Sequence, residues 1–207
     1  MRSVAQHVAW VVAMVYAAVP VFWFLVHPLV GFWRRQKRSP YWVLVPAQLA
    51  TIAVGLALTW PWRHETLYDT PYAWLGALPF FVAAMSIFRR VRGHFTNQQL
   101  VGRNELAPDR FEQRLVVTGL HARVRHPVYG AHFLMLLGWT VGSGLLVCYA
   151  MLGFALAAGT IMITLEEREL EQRFGDQWRE YKKRVPAFLP RRSDPVKPES
   201  SEAPRAL

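Results

Sequence analysis

Residues 128–165 read VYGAHFLMLLGWTVGSGLLVCYAMLGFALAAGTIMITL and contain no Asp, Glu, Lys or Arg. A bilayer core is crossed by about 20 helical residues, so this run is close to twice the length of one crossing. Gly142-Ser143-Gly144 interrupts it near the middle. Two glycines flanking a serine are turn chemistry, and non-helical backbone is tolerated in lipid only where protein covers it. The stretch is therefore predicted to form a tight helical hairpin that leaves one membrane face and returns to it.

Three further stretches without charged residues precede the hairpin, at 8–30, 41–60 and 72–88, and each is near the length of one span. The expected fold class is all-α: a polytopic membrane protein of about five transmembrane helices. Arg2 and the small residues near Tyr16-Ala17-Ala18 resemble a secretory signal. The apolar run is longer than the roughly 7–15 residues of a signal core, which favours a retained anchor. Pro20, Pro46 and Pro79 fall inside the first three spans, where neighbours can satisfy the freed carbonyls, so they are expected to shape packing. Small residues at 50–55 and 153–159 mark close helix contacts. The spans hold no carboxylate and no lysine, which argues against a proton-coupled transporter or an ion channel.

The chain has 207 residues, is 53% hydrophobic and carries a formal net charge of +10. In a soluble protein that charge would suggest nucleic acid, but its distribution fits membrane topology better, and no nucleic-acid partner is expected. Arg34, Arg35, Lys37 and Arg38 follow the first span and Arg89, Arg90 and Arg92 the third, whereas the intervening loop holds Arg63 against Glu65 and Asp69. Positive loops mark the cytoplasmic side. The N-terminus is then outside, and the loop 89–127 and everything after residue 165 are cytoplasmic; in a bacterium the membrane would be the inner one. The lone Cys148 excludes a disulfide framework and a cysteine-based metal site.

A single membrane domain is expected over 1–190, with spans at 1–88, a cytoplasmic loop at 89–127, the hairpin at 128–165 and a cytoplasmic amphipathic helix at 166–190. Phe174, Trp178, Tyr181 and Val185 recur there at helical spacing beside Arg179, Lys182, Lys183 and Arg184, giving an aromatic and a basic face. Such a helix can lie on the leaflet or cap the hairpin. Residues 191–207, rich in Pro, Ser, Glu and Lys, read as a disordered tail. In the loop, Leu115-Val116-Val117 before Thr118-Gly119 suggests an extended segment turning back to the membrane.

A hairpin brings its two ends to one face. Arg123, Arg125, His126 and Tyr129 at the entrance are thereby expected to meet Glu166 and Glu167 at the exit. Arginine binds carboxylates bidentately, histidine and tyrosine donate hydrogen bonds, and glutamate accepts from sugar hydroxyls or amines. Each group alone also has an ordinary reading, as a positive-inside anchor, an interfacial aromatic or an exposed helix continuation. His121, His126 and His132 recur at spacings that do not align on one helical face, and no acid sits nearby, so no metal site is expected.

The motifs VVTGLHARVRHPVYGAHFLMLLGWTV and EERELEQRFGDQWREYKKRVPAFLP, separated by the hairpin, resemble the C-terminal half of the isoprenylcysteine carboxyl methyltransferases and the related phospholipid N-methyltransferases. The resemblance covers roughly residues 113–190; the first three spans share only hydrophobicity. It implies S-adenosylmethionine bound at the membrane face without a soluble nucleotide-binding domain, by Leu115, Val116, His121, Arg125, His126, Pro127, Val128, Tyr129, Glu166 and Glu167. His126 and Glu167 are the candidate catalytic groups. His121 stands where the family commonly has tyrosine, and Met162 where the isoprenylcysteine enzymes carry an arginine facing the substrate. The implied activity is methyl transfer to a small, lipophilic carboxylate, amine or thiol, which could reach the pocket sideways from the bilayer beside the third span. An NADPH-dependent sterol-type reductase, with a similar hairpin, and a non-catalytic membrane interaction protein are the alternatives.

Overall fold

The computed structural model describes residues 4–36, 38–92, 106 and 114–190. The expected tail at 191–207 and loop residues 93–105 and 107–113 lie outside the described residues. Among the described residues, seven α-helices are delimited: α1 (Val4–Val26), α2 (Val30–Arg35), α3 (Tyr41–Thr59), α4 (Tyr72–Val91), α5 (Pro127–Ser143), α6 (Leu146–Phe174) and α7 (Asp176–Arg184). The protein is an all-α polytopic membrane protein. Helices α1, α3, α4 and α6 are long and apolar enough to cross a bilayer. The fifth, α5, has 17 residues, about 26 Å at 1.5 Å per residue, and is shortened because Pro127 starts it and Gly144 ends it. The first span begins earlier than the charge pattern suggests and stops at Val26, before a break at His27–Leu29 and the short α2.

Helix α1 packs against α3, α5 and α6, and α4 lies along α5. Ala9, Ala13, Met14, Leu136, Leu145, Cys148 and Ala155 form the core where these helices meet. On α3 and α4, Trp42, Leu49, Leu58 and Leu75 are exposed, the outward apolar surface expected of lipid-facing helices. Pro20, Pro46 and Pro79 sit within α1, α3 and α4. Helices α4 and α5 approach closely because α5 presents glycines: a Cβ at Gly138 would come within 2.7 Å of Phe81, and one at Gly142 within 2.3 Å of Trp74.

The hairpin forms as the sequence predicts, with its turn at Gly144, whose φ of +64° is a left-handed value that side chains disfavour. The connection between α3 and α4 clamps this turn. The N–H of Leu67 donates to the Gly144 carbonyl at 2.8 Å, the N–H of Leu146 donates to Glu65 at 2.9 Å, and the Tyr68 hydroxyl donates to Val141 at 2.8 Å. At the other end, the expected boundary at residue 165 falls inside α6, which runs on to Phe174. The amphipathic segment 166–190 is thus not one helix: its first part continues the hairpin arm, and Gly175 at φ +53° turns the chain into α7. The hairpin's second arm therefore carries its acidic residues beyond the apolar run on a rigid extension.

Replacing Gly144 with alanine combines left-handed strain with a Cβ placed 2.3 Å from the Tyr68 carbonyl oxygen. The expected cost is roughly 2–4 kcal/mol, read as a lowered thermal midpoint of the detergent-solubilised protein. Gly153→Ala, where a Cβ meets nothing within 4 Å, leaves the midpoint at or above that of the wild type.

Candidate active site

The hairpin's two ends meet. Arg125 lies in the turn before α5, and Glu167 lies on α6 just beyond the apolar run. Arg125 donates to Glu167 Oε1 from Nε at 3.0 Å and from Nη2 at 2.7 Å. His126 Nε2 lies 3.0 Å from the same oxygen, and Lys182 Nζ on α7 lies 2.8 Å from Oε2. Arg125 Nη1 also donates to the carbonyls of Val185 and Lys182. One carboxylate thus joins the hairpin entrance, the hairpin exit and the last helix. Burying charges is costly, and removing one partner of such a set leaves the others uncompensated.

The C-terminal segment is clipped on by backbone as well. The N–H groups of Arg125 and His126 donate to Pro186 and Ala187 at 2.8 and 3.0 Å. Of the two placements the sequence left open for the aromatic face, the structure shows the inward one. Trp178, Tyr181 and Val185 are buried together with Leu115, Leu170 and Phe174 packed around them. The Tyr181 hydroxyl donates to the His121 carbonyl at 2.7 Å, and burial pushes its phenol up to about 12, so it remains a donor at physiological pH.

These elements enclose a cavity of about 830 Å³, within the range that holds a cofactor-sized ligand. Nine of the ten sequence-predicted binding residues line it: Leu115, Val116, His121, Arg125, His126, Pro127, Val128, Tyr129 and Glu166. Glu167 is the exception and stands behind the wall, holding Arg125 and His126. Arg123 is exposed and lies outside the lining. Pro127 opens α5, and the residue before a proline is driven out of helical conformation; His126 accordingly sits at φ −119° and ψ 55°, with its ring stacked near Tyr129 at 5.7 Å. The first turn of α5, whose N–H groups have no helical acceptor, thereby faces the cavity through Val128 and Tyr129.

Glu166 differs from its neighbour. Its Oε2 is buried on the cavity wall and has no hydrogen-bond partner. The indole Nε1 of Trp178, another lining residue, is also buried and unpaired. Buried polar atoms ordinarily find partners, so this acceptor and this donor mark places where a polar ligand would complete the site.

Sequence reasoning missed the far wall. His27, Gln48, Arg92, Arg114, His132 and Arg173 also line the cavity. His27 Nδ1 pairs with Glu169 Oε2 at 2.6 Å, and Arg173 Nη2 lies 3.7 Å from Glu169 Oε1, which fastens the end of α1 to α6. His27 and Glu169 lie 142 positions apart in sequence, and no local pattern signals such a pairing. Trp178 and Tyr181 were visible as an aromatic face, though not as cavity walls.

Comparison with known proteins adds a second line of support. A protein-S-isoprenylcysteine O-methyltransferase of Xenopus laevis is 36% identical over 81 residues, covering 37% of this chain and 27% of the relative. The chain carries an isoprenylcysteine O-methyltransferase-like segment. Methanethiol S-methyltransferase 1 of Bradyrhizobium diazoefficiens is 34% identical over 104 residues, 47% of this chain and 32% of that protein. A mouse Delta(14)-sterol reductase is 33% identical over 84 residues, 40% of this chain and 20% of its own. The chain thus spans about a fifth to a third of the length of these relatives. No family model matches the chain, and no solved structure matches it.

Glu167→Ala strands a buried arginine and is expected to destabilise the protein by about 3–5 kcal/mol. Lys182→Ala removes a cation whose side chain is 44% exposed, and is expected to change stability by less than about 1 kcal/mol. Thermal unfolding of the two purified variants checks the contrast.

Proposed function

We propose that this protein is an S-adenosylmethionine-dependent membrane methyltransferase that acts on a small lipophilic acceptor at the cytoplasmic face. The observation that carries the reading is the unpaired Glu166 carboxylate oxygen on the wall of a cofactor-sized cavity, built by the segments that carry the family motifs. The positive ends of α2 and α4, at Arg34 and Arg35 and at Arg89 and Arg90, lie at the same end of the bundle as this cavity, which Arg92 lines. That supports a cytoplasmic site.

The residues present fit the group. Glu166 would accept from ribose hydroxyls or an amine, Trp178 would donate from Nε1, and the positive N-terminal end of α5 favours a carboxylate. Leu115 and Val116 supply apolar contact. S-adenosylmethionine, when bound, supplies a methyl group on a sulfonium. Arg125 and His126 hold the floor of the cavity in place because Glu167 grips both, and this assigns Glu167 a positioning role rather than that of a base. The carboxylate already accepts from Arg125, His126 and Lys182, which favours its ionised form and weakens it as a proton acceptor. His126 remains in the cavity wall as a group able to contact the reactants.

The acceptor side is apolar. Val19, Phe22, Trp23, Val45, Phe88 and Val91 from α1, α3 and α4 give the cavity an apolar lining. A lipophilic molecule entering from the bilayer would meet this wall first, and water would be excluded from the reacting atoms. Alignment of two reactants in such a site is worth roughly 7–11 kcal/mol, so no covalent intermediate is needed. The similarity to a sterol reductase favours one rival reading, in which the same cavity takes NADPH.

Glu166→Ala and His126→Ala are each expected to weaken S-adenosylmethionine binding, the former by roughly 10- to 100-fold for a charged hydrogen bond lost in a buried site. Calorimetry on the detergent-purified proteins measures this, and unchanged affinity in both variants rejects the site assignment. A rise in the wild-type thermal midpoint with NADPH and none with S-adenosylmethionine would select the reductase.

A further inference from the structure

Helix α3 is mostly lipid-facing: of its 19 residues only Leu44 is buried. It contributes Tyr41, Val45 and Gln48 to the cavity, spaced four and then three residues apart and so stacked on one helix face. Gln48 lies seven residues into the helix, about 10 Å from its start at 1.5 Å per residue. An amide side chain in a membrane span ordinarily hydrogen-bonds across to a neighbouring helix. Gln48 departs from this, because its Oε1 is buried and has no hydrogen-bond partner. On α5, His132 lines the same cavity with a buried, unpaired Nδ1, its ring held edge-on between Tyr16 at 5.4 Å and Phe88 at 5.1 Å. Two helices thus bring an orphaned polar atom to the wall of one largely apolar space, and such atoms call for partners. A slot of about 30 Å³, walled by Leu136 and Met162, adjoins the cavity at Val19, Tyr129 and His132. It admits about one or two non-hydrogen atoms, so a lipophilic ligand lies in the larger cavity, against α3 as well as α5.

We infer that Gln48 selects the methyl acceptor, and that the acceptor is an uncharged lipophile carrying a hydroxyl group that Gln48 binds. The inference rests on the methyltransferase reading above for the ligand's role. Gln48 lies outside residues 113–190, which carry the family resemblance, so the contact belongs to this chain's own spans. The orphaned atom decides the class. A plain hydrocarbon leaves Oε1 unpaired, and so does a carbonyl or an ether, which only accepts. An ammonium or carboxylate beside Gln48 would shed its hydration for one neutral hydrogen bond, which does not offset the loss. An amide N–H could pair with Oε1 but brings a carbonyl that needs a partner of its own. A hydroxyl donates and accepts. It therefore satisfies Gln48 whichever way the amide is turned, and it suits His132 Nδ1 in either tautomer.

A glutamine has no proton to gain or lose in the physiological range, so it anchors the hydroxyl and does not activate it. Its value is discrimination. The bilayer offers many hydrocarbon chains, and packing against Val19, Phe22 and Phe88 separates them poorly, since one methylene more or less changes binding little. A buried polar atom left unpaired by the wrong ligand and paired by the right one separates them better. The same atom is a burden while the cavity lacks that ligand, which gives the inference a signature in stability as well as in binding.

The test uses the full-length protein in phosphatidylcholine nanodiscs, titrated with 1-tetradecanol or with pentadecane, in which a methyl group replaces the hydroxyl. Tetradecanol is expected to raise the wild-type thermal midpoint at a mole fraction roughly 3- to 10-fold lower than pentadecane, the range of one neutral hydrogen bond. Gln48→Met keeps the length of the side chain and removes its hydrogen-bonding groups. That variant is expected to lose the difference between the two probes and to bind S-adenosylmethionine with wild-type affinity by calorimetry. Without added ligand its midpoint stands at or above that of the wild type. An equal or absent response of the wild type to the two probes, or an undiminished preference for tetradecanol in Gln48→Met, overturns the inference. A lowered midpoint of ligand-free Gln48→Met, the mark of a structural hydrogen bond, overturns it too. Wild-type protein that binds S-adenosylmethionine but does not prefer tetradecanol leaves the cofactor reading intact and removes this one. Preference for tetradecanol without binding of S-adenosylmethionine keeps Gln48 as a hydroxyl site and removes the methyl acceptor as its ligand.

Discussion

A single carboxylate holds this protein's candidate site together. Glu167 accepts from a guanidinium, lies against an imidazole and meets an ammonium, and these come from the hairpin entrance and from the last helix. The hairpin alone brings its ends to one membrane face, which fixes them within a few turns of each other but sets no side-chain geometry. Glu167 supplies that geometry. It fixes Arg125, which in turn donates to the carbonyls of Lys182 and Val185 at the C-terminal end of α7, so the final helix is docked and Trp178 and Tyr181 close the cavity. Each link depends on the preceding one, and the desolvation of these charges is offset only if all the partners are present.

The hairpin was legible because it obeys two rules that act locally. An apolar run twice the length of a crossing must turn, and Gly142-Ser143-Gly144 was the available place; Gly144 takes the left-handed conformation that justified the expectation. The residues that line the cavity at the hairpin ends were legible for a different reason. They lie within a few positions of the hairpin's ends, so topology gathers them regardless of detail. The same reasoning put Glu166 and Glu167 together as a pair, and helical geometry separates them: successive residues on a helix point about 100° apart, which sends one to the cavity wall and the other behind it. Alternating roles for adjacent acids follow from α6 continuing unbroken through both.

That continuation was the part the sequence hid. Apolar composition ends near residue 165, and composition was the signal used for the boundary, whereas the backbone of a helix continues wherever residues favour it. Glu, Arg, Leu and Gln from 166 to 172 are good helix formers, and only Gly175 stops the run. The far wall was hidden more deeply. Its His27–Glu169 pair joins the first span to the hairpin's extension, and nothing near either residue distinguishes it from an ordinary interfacial group. Pairings across the bundle depend on the rotation of each span, which the nearly uniform hydrophobicity of α3 and α6 leaves unspecified.

The arrangement of polar groups follows the gradient of the solvent it sits in. Arginines and acids cluster where the hairpin leaves lipid, and the walls become aromatic and then aliphatic toward the slot at Leu136 and Met162. A cavity built this way can hold a charged, hydrogen-bonding ligand at its mouth and an apolar one at its depth, with both reactive ends meeting at the boundary. A soluble domain would need a separate lid to dry that boundary. Here the neighbouring spans do so permanently, because α1 and α4 bring Tyr16 and Phe88 against the ring of His132. The cost is that an ionisable group at that depth is held away from the water that would stabilise its charge.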